Sequence, residues 1–122
     1  MQYKFWGKVQ HGAKRGRLLG FPTANMRLHK KIPEGIYISQ AILKNKIYES
    51  VTFIGNAKTF GEKDYKAETY ILDFTKHIYA QWVSVTLLKK IRINERFDSQ
   101  KALVIQIEKD VLAAREFFSK LH

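Results

Sequence analysis

The hydrophobic period of this chain changes once, near residue 92, and that change limits what it can fold into. Beyond it Leu103, Ile107, Val111, Ala114 and Phe118 recur at spacings of 4, 4, 3 and 4, with Gln106, Lys109, Asp110 and Arg115 between them. This is the spacing of one helix face, so the tail predicts an amphipathic helix over about 99–120, with Asp98 or Ser99 available as its cap. Before the change, apolar and polar residues alternate in short runs. The runs at 3–10, 23–28, 35–43, 47–54, 67–74 and 82–89 read as strands, with Lys44, Asn45 and Lys46 as a hairpin turn. Such strands have edges that must be managed, which favours a closed or nearly closed small β-barrel over about 1–92 with the helix packed on it. At 122 residues the chain reads as a single mainly β domain.

Composition narrows the chemistry. The chain is 45% hydrophobic with only 2 Pro and 7 Gly, enough to bury a core and unlike a disordered or collagenous sequence. It has no Cys, so disulfides, thiolate metal sites and cysteine nucleophiles are excluded. No apolar run has the length of a membrane span and the start, MQYKFWGKVQHG, lacks a signal-peptide core, which leads to the expectation of a cytoplasmic protein.

Charge is unevenly placed. Lys and Arg total 22 against 11 Asp and Glu, and residues 1–33 carry Lys4, Lys8, Lys14, Arg15, Arg17, Arg27, Lys30 and Lys31 with no acidic residue. A field so concentrated suits nucleotide phosphates, a nucleic-acid backbone, or simply a solvated basic surface.

The stretch Gly16 to Asn25, GRLLGFPTAN, is the most specific in the chain. Gly12, Gly16 and Gly20 allow backbone to approach an anion closely, and Lys14, Arg15 and Arg17 supply charge, although neither the P-loop nor the dinucleotide fingerprint is present. Pro22 directs the chain out of the loop in extended form. Thr23 and Asn25, two apart in extended chain, share a face, as neutral oxygen ligands suited to Mg²⁺ or as two solvent-facing polar residues. Glu68 follows a long polar loop and is either a surface carboxylate or a base able to take a proton from a hydroxyl during phosphoryl transfer. Asp73, five residues on in the same predicted strand, faces the other way, so the two are not read as a dyad. The four His, at 11, 29, 77 and 122, lack any mutual metal spacing.

Taken in order, these motifs resemble the riboflavin kinase (flavokinase) family. GKVQHGAKRGRLLGFPTAN resembles its opening strand, basic Gly-rich loop and PTAN tetrapeptide, here Pro22 to Asn25. Pro33, Gly35 and Tyr37 resemble its P-x-G-x-Y strand, and Ile54, Gly55, Thr59 and Phe60 its I-G-x-x-P-T-F segment. Glu68 to Phe74 resembles E-x-x-[IL]-L-D-F, Tyr79 an L-Y-G turn, and Arg92, Phe97, Asp98 and Ser99 an R-x-x-x-x-F-D-S run.

The resemblance implies a six-stranded antiparallel Greek-key barrel with a C-terminal helix, transferring the γ-phosphate of ATP to the 5′-hydroxyl of riboflavin to give FMN. It implies Thr23 and Asn25 as ligands of the Mg²⁺ that accompanies ATP, and Glu68 as catalytic base. Gly12, Gly16, Arg17, Gly20, Pro22, Ile71, Asp73 and Tyr79 would line the ATP side with Thr23 and Asn25, and Arg92 and Phe97 the flavin side. The chain departs from the pattern at Phe53, Lys58, Ala80 and Asn94. The expected partners are riboflavin and ATP, with no nucleic acid and no membrane, for a monomer. Alternatives are a kinase domain excised from a bifunctional FAD synthetase, or a non-catalytic flavin-binding relative. More remote is a basic barrel stacking single-stranded nucleic acid on Tyr3, Phe5, Trp6, Phe21 or Trp82.

Overall fold

The computed structural model describes residues 2–8, 23–28, 31–55, 65–73 and 81–121. Six strands are followed by one helix: β1 (Tyr3–Lys8), β2 (Thr23–Arg27), β3 (Gly35–Leu43), β4 (Lys46–Gly55), β5 (Lys66–Ile71), β6 (Trp82–Arg92) and α1 (Gln100–Ser119). Every pairing is antiparallel and the spatial order is β1-β6-β3-β4-β5-β2. Within it β3, β4 and β5 follow one another and β6 returns beside β3, which is a Greek key. The sheet curls until its end strands meet, and a Cβ added to Gly7 of β1 would lie 3.6 Å from Met26 Sδ of β2.

The turn between β3 and β4 falls at Lys44 and Asn45, both with positive φ (49° and 68°). Two left-handed residues in a two-residue loop match the right-handed twist of the flanking strands.

Alternation gives the sheet two buried faces. Inside the barrel Phe5, Met26, Ile32, Ile54, Val83, Val85 and Leu87 belong to one buried cluster. The hydroxyls of Tyr37 and Tyr65 donate to the carbonyls of Pro33 and Ile32, and burial is the largest cause raising both phenol pKa values. The interior also holds a hydroxyl chain: Ser39 hydrogen-bonds to Ser50 (2.6 Å) and Thr52 (2.8 Å), and Thr52 to Thr69 (2.8 Å). All four residues are completely buried.

On the outer face α1 covers Ile36, Ile38, Val51, Tyr70 and Leu72 with Ile107, Val111, Ala114 and Phe118. Ser99 is its cap, with Ser99 Oγ accepting from Ala102 N at 3.1 Å.

Two of the predicted boundaries move for a reason visible in the backbone. The strand expected over 67–74 ends at Ile71, because the chain turns at Leu72 and Asp73 and Asp73 is left-handed (φ 58°). Asp73 therefore lies past the strand, and alternation along β5 does not set its direction as the sequence reading assumed. At the other end, β6 runs three residues beyond the predicted Lys89. Its pairing with β3 shifts register twice, between Ile36 and Tyr37 and between Ile38 and Ser39. Bulges of this kind break alternation while bending and twisting the strand, which hides its end from a period-2 reading and helps the sheet to curl.

Candidate active site

The outer face of β2 and β5 brings three of the predicted site residues together. Asn25 stands directly opposite Glu68 in the β2–β5 ladder, and Thr23 opposite Tyr70. Directly opposed residues point to the same side, so Thr23, Asn25 and Glu68 share the face on which α1 lies. All three are buried, at 3%, 5% and 4% exposure, which removes the solvent-facing reading of Thr23 and Asn25 and the surface reading of Glu68. Asn25 Nδ2 donates to Thr23 Oγ1 at 3.4 Å.

The same row continues across the sheet. Glu68 opposes Phe53, Phe53 opposes Ile36, and Ile36 opposes Arg92. Three inter-strand steps of about 4.8 Å put roughly 14 Å of sheet between Glu68 and Arg92. The two register shifts in β6 place Arg92, where an unshifted ladder would place Lys90, opposite Ile36. Arg92 Nε and Nη2 donate to Asp110 Oδ1 and Oδ2, each at 2.8 Å, and Nη1 to the carbonyl of Ile93 at 3.2 Å. Its guanidinium carbon lies 5.9 Å from the centroid of the Phe97 ring, within cation–π range.

The segment between β6 and α1 is held at a second point by Asn94, whose Nδ2 donates to the carbonyl of Ile54 at 3.2 Å. A Cβ on Gly55 would come within 2.9 Å of that nitrogen, so a side chain there would oblige the Asn94 amide to shift.

Two more predicted residues lie elsewhere. Ile71 is fully buried inside the barrel. Asp73 is exposed and receives two hydrogen bonds of 3.1 Å from Arg115, which hold its carboxyl below its ordinary value. Gly12, Gly16, Arg17, Gly20, Pro22 and Tyr79, together with Lys58 and Ala80, lie outside the described residues.

One residue of this face escaped the sequence reading. Asp110 was placed among the polar residues of the helix, yet it is 3% exposed and grips Arg92. The signal was present, since 110 completes the spacing 107, 110, 111, 114 and an acid there interrupts an apolar stripe.

The donors suit a hard cation that brings its own ligands. Thr23 and Asn25 offer two neutral oxygens beside one carboxylate, too few for an all-protein cage and appropriate to an ion arriving with phosphates and water. Among the described residues no three His, Cys, Asp or Glu side chains group as a metal site.

The family model for riboflavin kinase (flavokinase) matches residues 1–118. The chain belongs to the riboflavin kinase family. It is 40% identical over 120 residues to a bifunctional riboflavin kinase/FMN adenylyltransferase of Haemophilus influenzae, covering 96% of this chain and 39% of that protein. The chain thus spans about two-fifths of that relative's length.

Among solved structures it superposes on riboflavin kinase from Trypanosoma brucei with a TM-score of 0.67 and 27% identity, over 98% of this chain and 81% of that one. It also superposes on 38% of a macrolide-efflux protein from Streptococcus pneumoniae, with a TM-score of 0.80 and 34% identity over 92% of this chain. Among the described residues no helix is long and apolar enough to cross a membrane.

Proposed function

We propose that this riboflavin kinase family domain transfers the γ-phosphoryl group of ATP to the 5′-hydroxyl of riboflavin, with Mg²⁺, to give FMN and ADP. The observation that carries the reading is the direct opposition of Asn25 and Glu68, which sets a base beside a candidate metal ligand on one buried face.

Thr23 Oγ1 and Asn25 Oδ1 would hold the ion, which when bound neutralises charge on the β- and γ-phosphates. Glu68 takes the proton of the 5′-hydroxyl as the hydroxyl oxygen bonds to the γ-phosphorus. The bond from that phosphorus to the β–γ bridging oxygen breaks, and ADP leaves with the electron pair. Burial of Glu68 excludes water from the base and keeps its proton transfer directed at the acceptor. The acceptor then presents its 5′-hydroxyl to Glu68, and Arg92 and Phe97 belong to the flavin side by family resemblance. The glycines and Arg17 of the segment before Thr23, with Tyr79, belong to the ATP side by family resemblance.

The test is incubation with riboflavin, ATP and Mg²⁺ and chromatographic resolution of the flavins. FMN that requires both ATP and metal supports the reading. Absence of FMN from a folded chain overturns it, and retained riboflavin binding in that case identifies a non-catalytic flavin binder.

A further inference from the structure

A buried carboxylate in the packed stripe of α1 calls for a reason beyond stability. Asp110 lies between Ile107 and Val111, both buried against the sheet, where an apolar side chain would complete the helix face. Replacing a buried ion pair with well-packed hydrophobic residues is often neutral or stabilising, so the pair is weak evidence for a stabilising role.

The pair does fix a guanidinium plane. Asp110 takes Arg92 bidentately, Gln106 Nε2 donates to Asp110 Oδ1 at 3.2 Å from one helical turn earlier, and Arg92 Nη1 holds the carbonyl of Ile93. A guanidinium with its Nε and both terminal nitrogens engaged can only lie in one plane, and the Phe97 ring is set against it. The segment carrying Phe97 is anchored again where Asn94 meets Ile54, whose neighbour Phe53 opposes Glu68. The acceptor end of the row is thereby built from α1, β6 and the segment between them, whereas the Thr23–Asn25 end is built from β2 and β5.

We propose that Asp110, supported by Gln106, is a positioning residue for the acceptor: it holds Arg92 and Phe97 where the flat ring of riboflavin is received, and has no part in binding nucleotide. The inference rests on the kinase reading above and adds the residue that sets its acceptor side.

Riboflavin dissociation constants by fluorescence, KM values for riboflavin and ATP, and melting temperature should be compared for the intact chain, Asp110→Asn, Gln106→Leu and the double variant Arg92→Met/Asp110→Leu. Asp110→Asn keeps the shape but loses the charge, and its riboflavin dissociation constant and KM should rise about tenfold or more, with the KM for ATP unchanged. Gln106→Leu should shift riboflavin affinity the same way by a smaller factor. The double variant should keep a melting temperature near that of the intact chain and still bind riboflavin poorly.

A double variant that regains both stability and riboflavin affinity would show the pair to be structural filler and overturn the inference. So would an Asp110→Asn chain with unchanged riboflavin affinity, or one whose KM values for riboflavin and ATP rise together. If the intact chain neither binds nor phosphorylates riboflavin, the kinase reading fails and takes this inference with it, an outcome visible before any variant is made.

Discussion

Asn25 and Glu68 occupy opposed positions of the β2–β5 ladder, both almost completely buried, so an amide and a carboxylate share one site on a sheet face. Burying a carboxylate is costly unless it is compensated, and placing it beside neutral oxygen donors concentrates hard ligands where a cation and a hydroxyl substrate can meet.

Glu68→Gln preserves the shape and removes the base. Its catalytic rate should fall by about 10²- to 10⁴-fold while nucleotide affinity stays near that of the intact chain. Single-turnover kinetics with nucleotide binding measured separately check this, and near-normal turnover would remove Glu68 from its role.

Thr23→Ala and Asn25→Ala each take away one oxygen donor. Both variants should need more Mg²⁺ for half-maximal activity, and Asn25→Asp, which adds charge at the same place, should need less than Asn25→Ala. Metal titrations at saturating ATP read this directly; superimposable curves would show that neither side chain meets the ion.

Thr52 links Ser39 to Thr69 inside the barrel, and all three are fully buried. Thr52→Val keeps the volume but breaks the link, leaving Thr69 short of a partner in a dry interior. Unfolding in urea should show a loss of about 1–3 kcal/mol. A loss within a few tenths would mean that the neighbouring hydroxyls reorganise without cost.

The turn at Lys44 and Asn45 places two left-handed residues where Asn-Gly is the preferred pair. Lys44→Asn combined with Asn45→Gly should raise stability by about 0.5–1 kcal/mol without touching the site. An unchanged or lower denaturation midpoint would contradict this account of the turn.

Asp73 and Arg115 form an exposed pair, with side chains 70% and 39% accessible, and the hydrogen bonds from Arg115 lower the Asp73 pKa below its ordinary 3.8. A carboxyl depressed in the folded state adds stability above its unfolded pKa, and that contribution is lost as pH falls through the folded value. Solvent screening keeps it to about 0.2–1 kcal/mol. Asp73→Asn should therefore be slightly less stable than the intact chain at pH 7 and should converge with it at strongly acid pH. A difference that grows on acidification would refute this assignment.

What the sequence by itself determined was everything carried by local period and by motif. Alternation up to residue 92 and helical spacing after it specify strands and a helix whatever their neighbours, because side-chain direction is a property of the local backbone. The pairing of Thr23 with Asn25 on one face was legible for the same reason, and the ordered motifs identified the family.

Tertiary structure alone decided which of the sheet's faces would carry the site, and which polar residues would be buried. Ser39, Ser50, Thr52 and Thr69 are polar, yet they meet inside the barrel because curling the sheet gives it an interior that no single strand possesses. Arg92 joins the row of Glu68 only through two register shifts against β3, and register is a relation between strands. Asp110 looked like one more polar helix residue until the helix was laid on the sheet with Arg92 beneath it. Contacts between residues distant in sequence depend on how elements pack, and the local pattern holds no record of that distance.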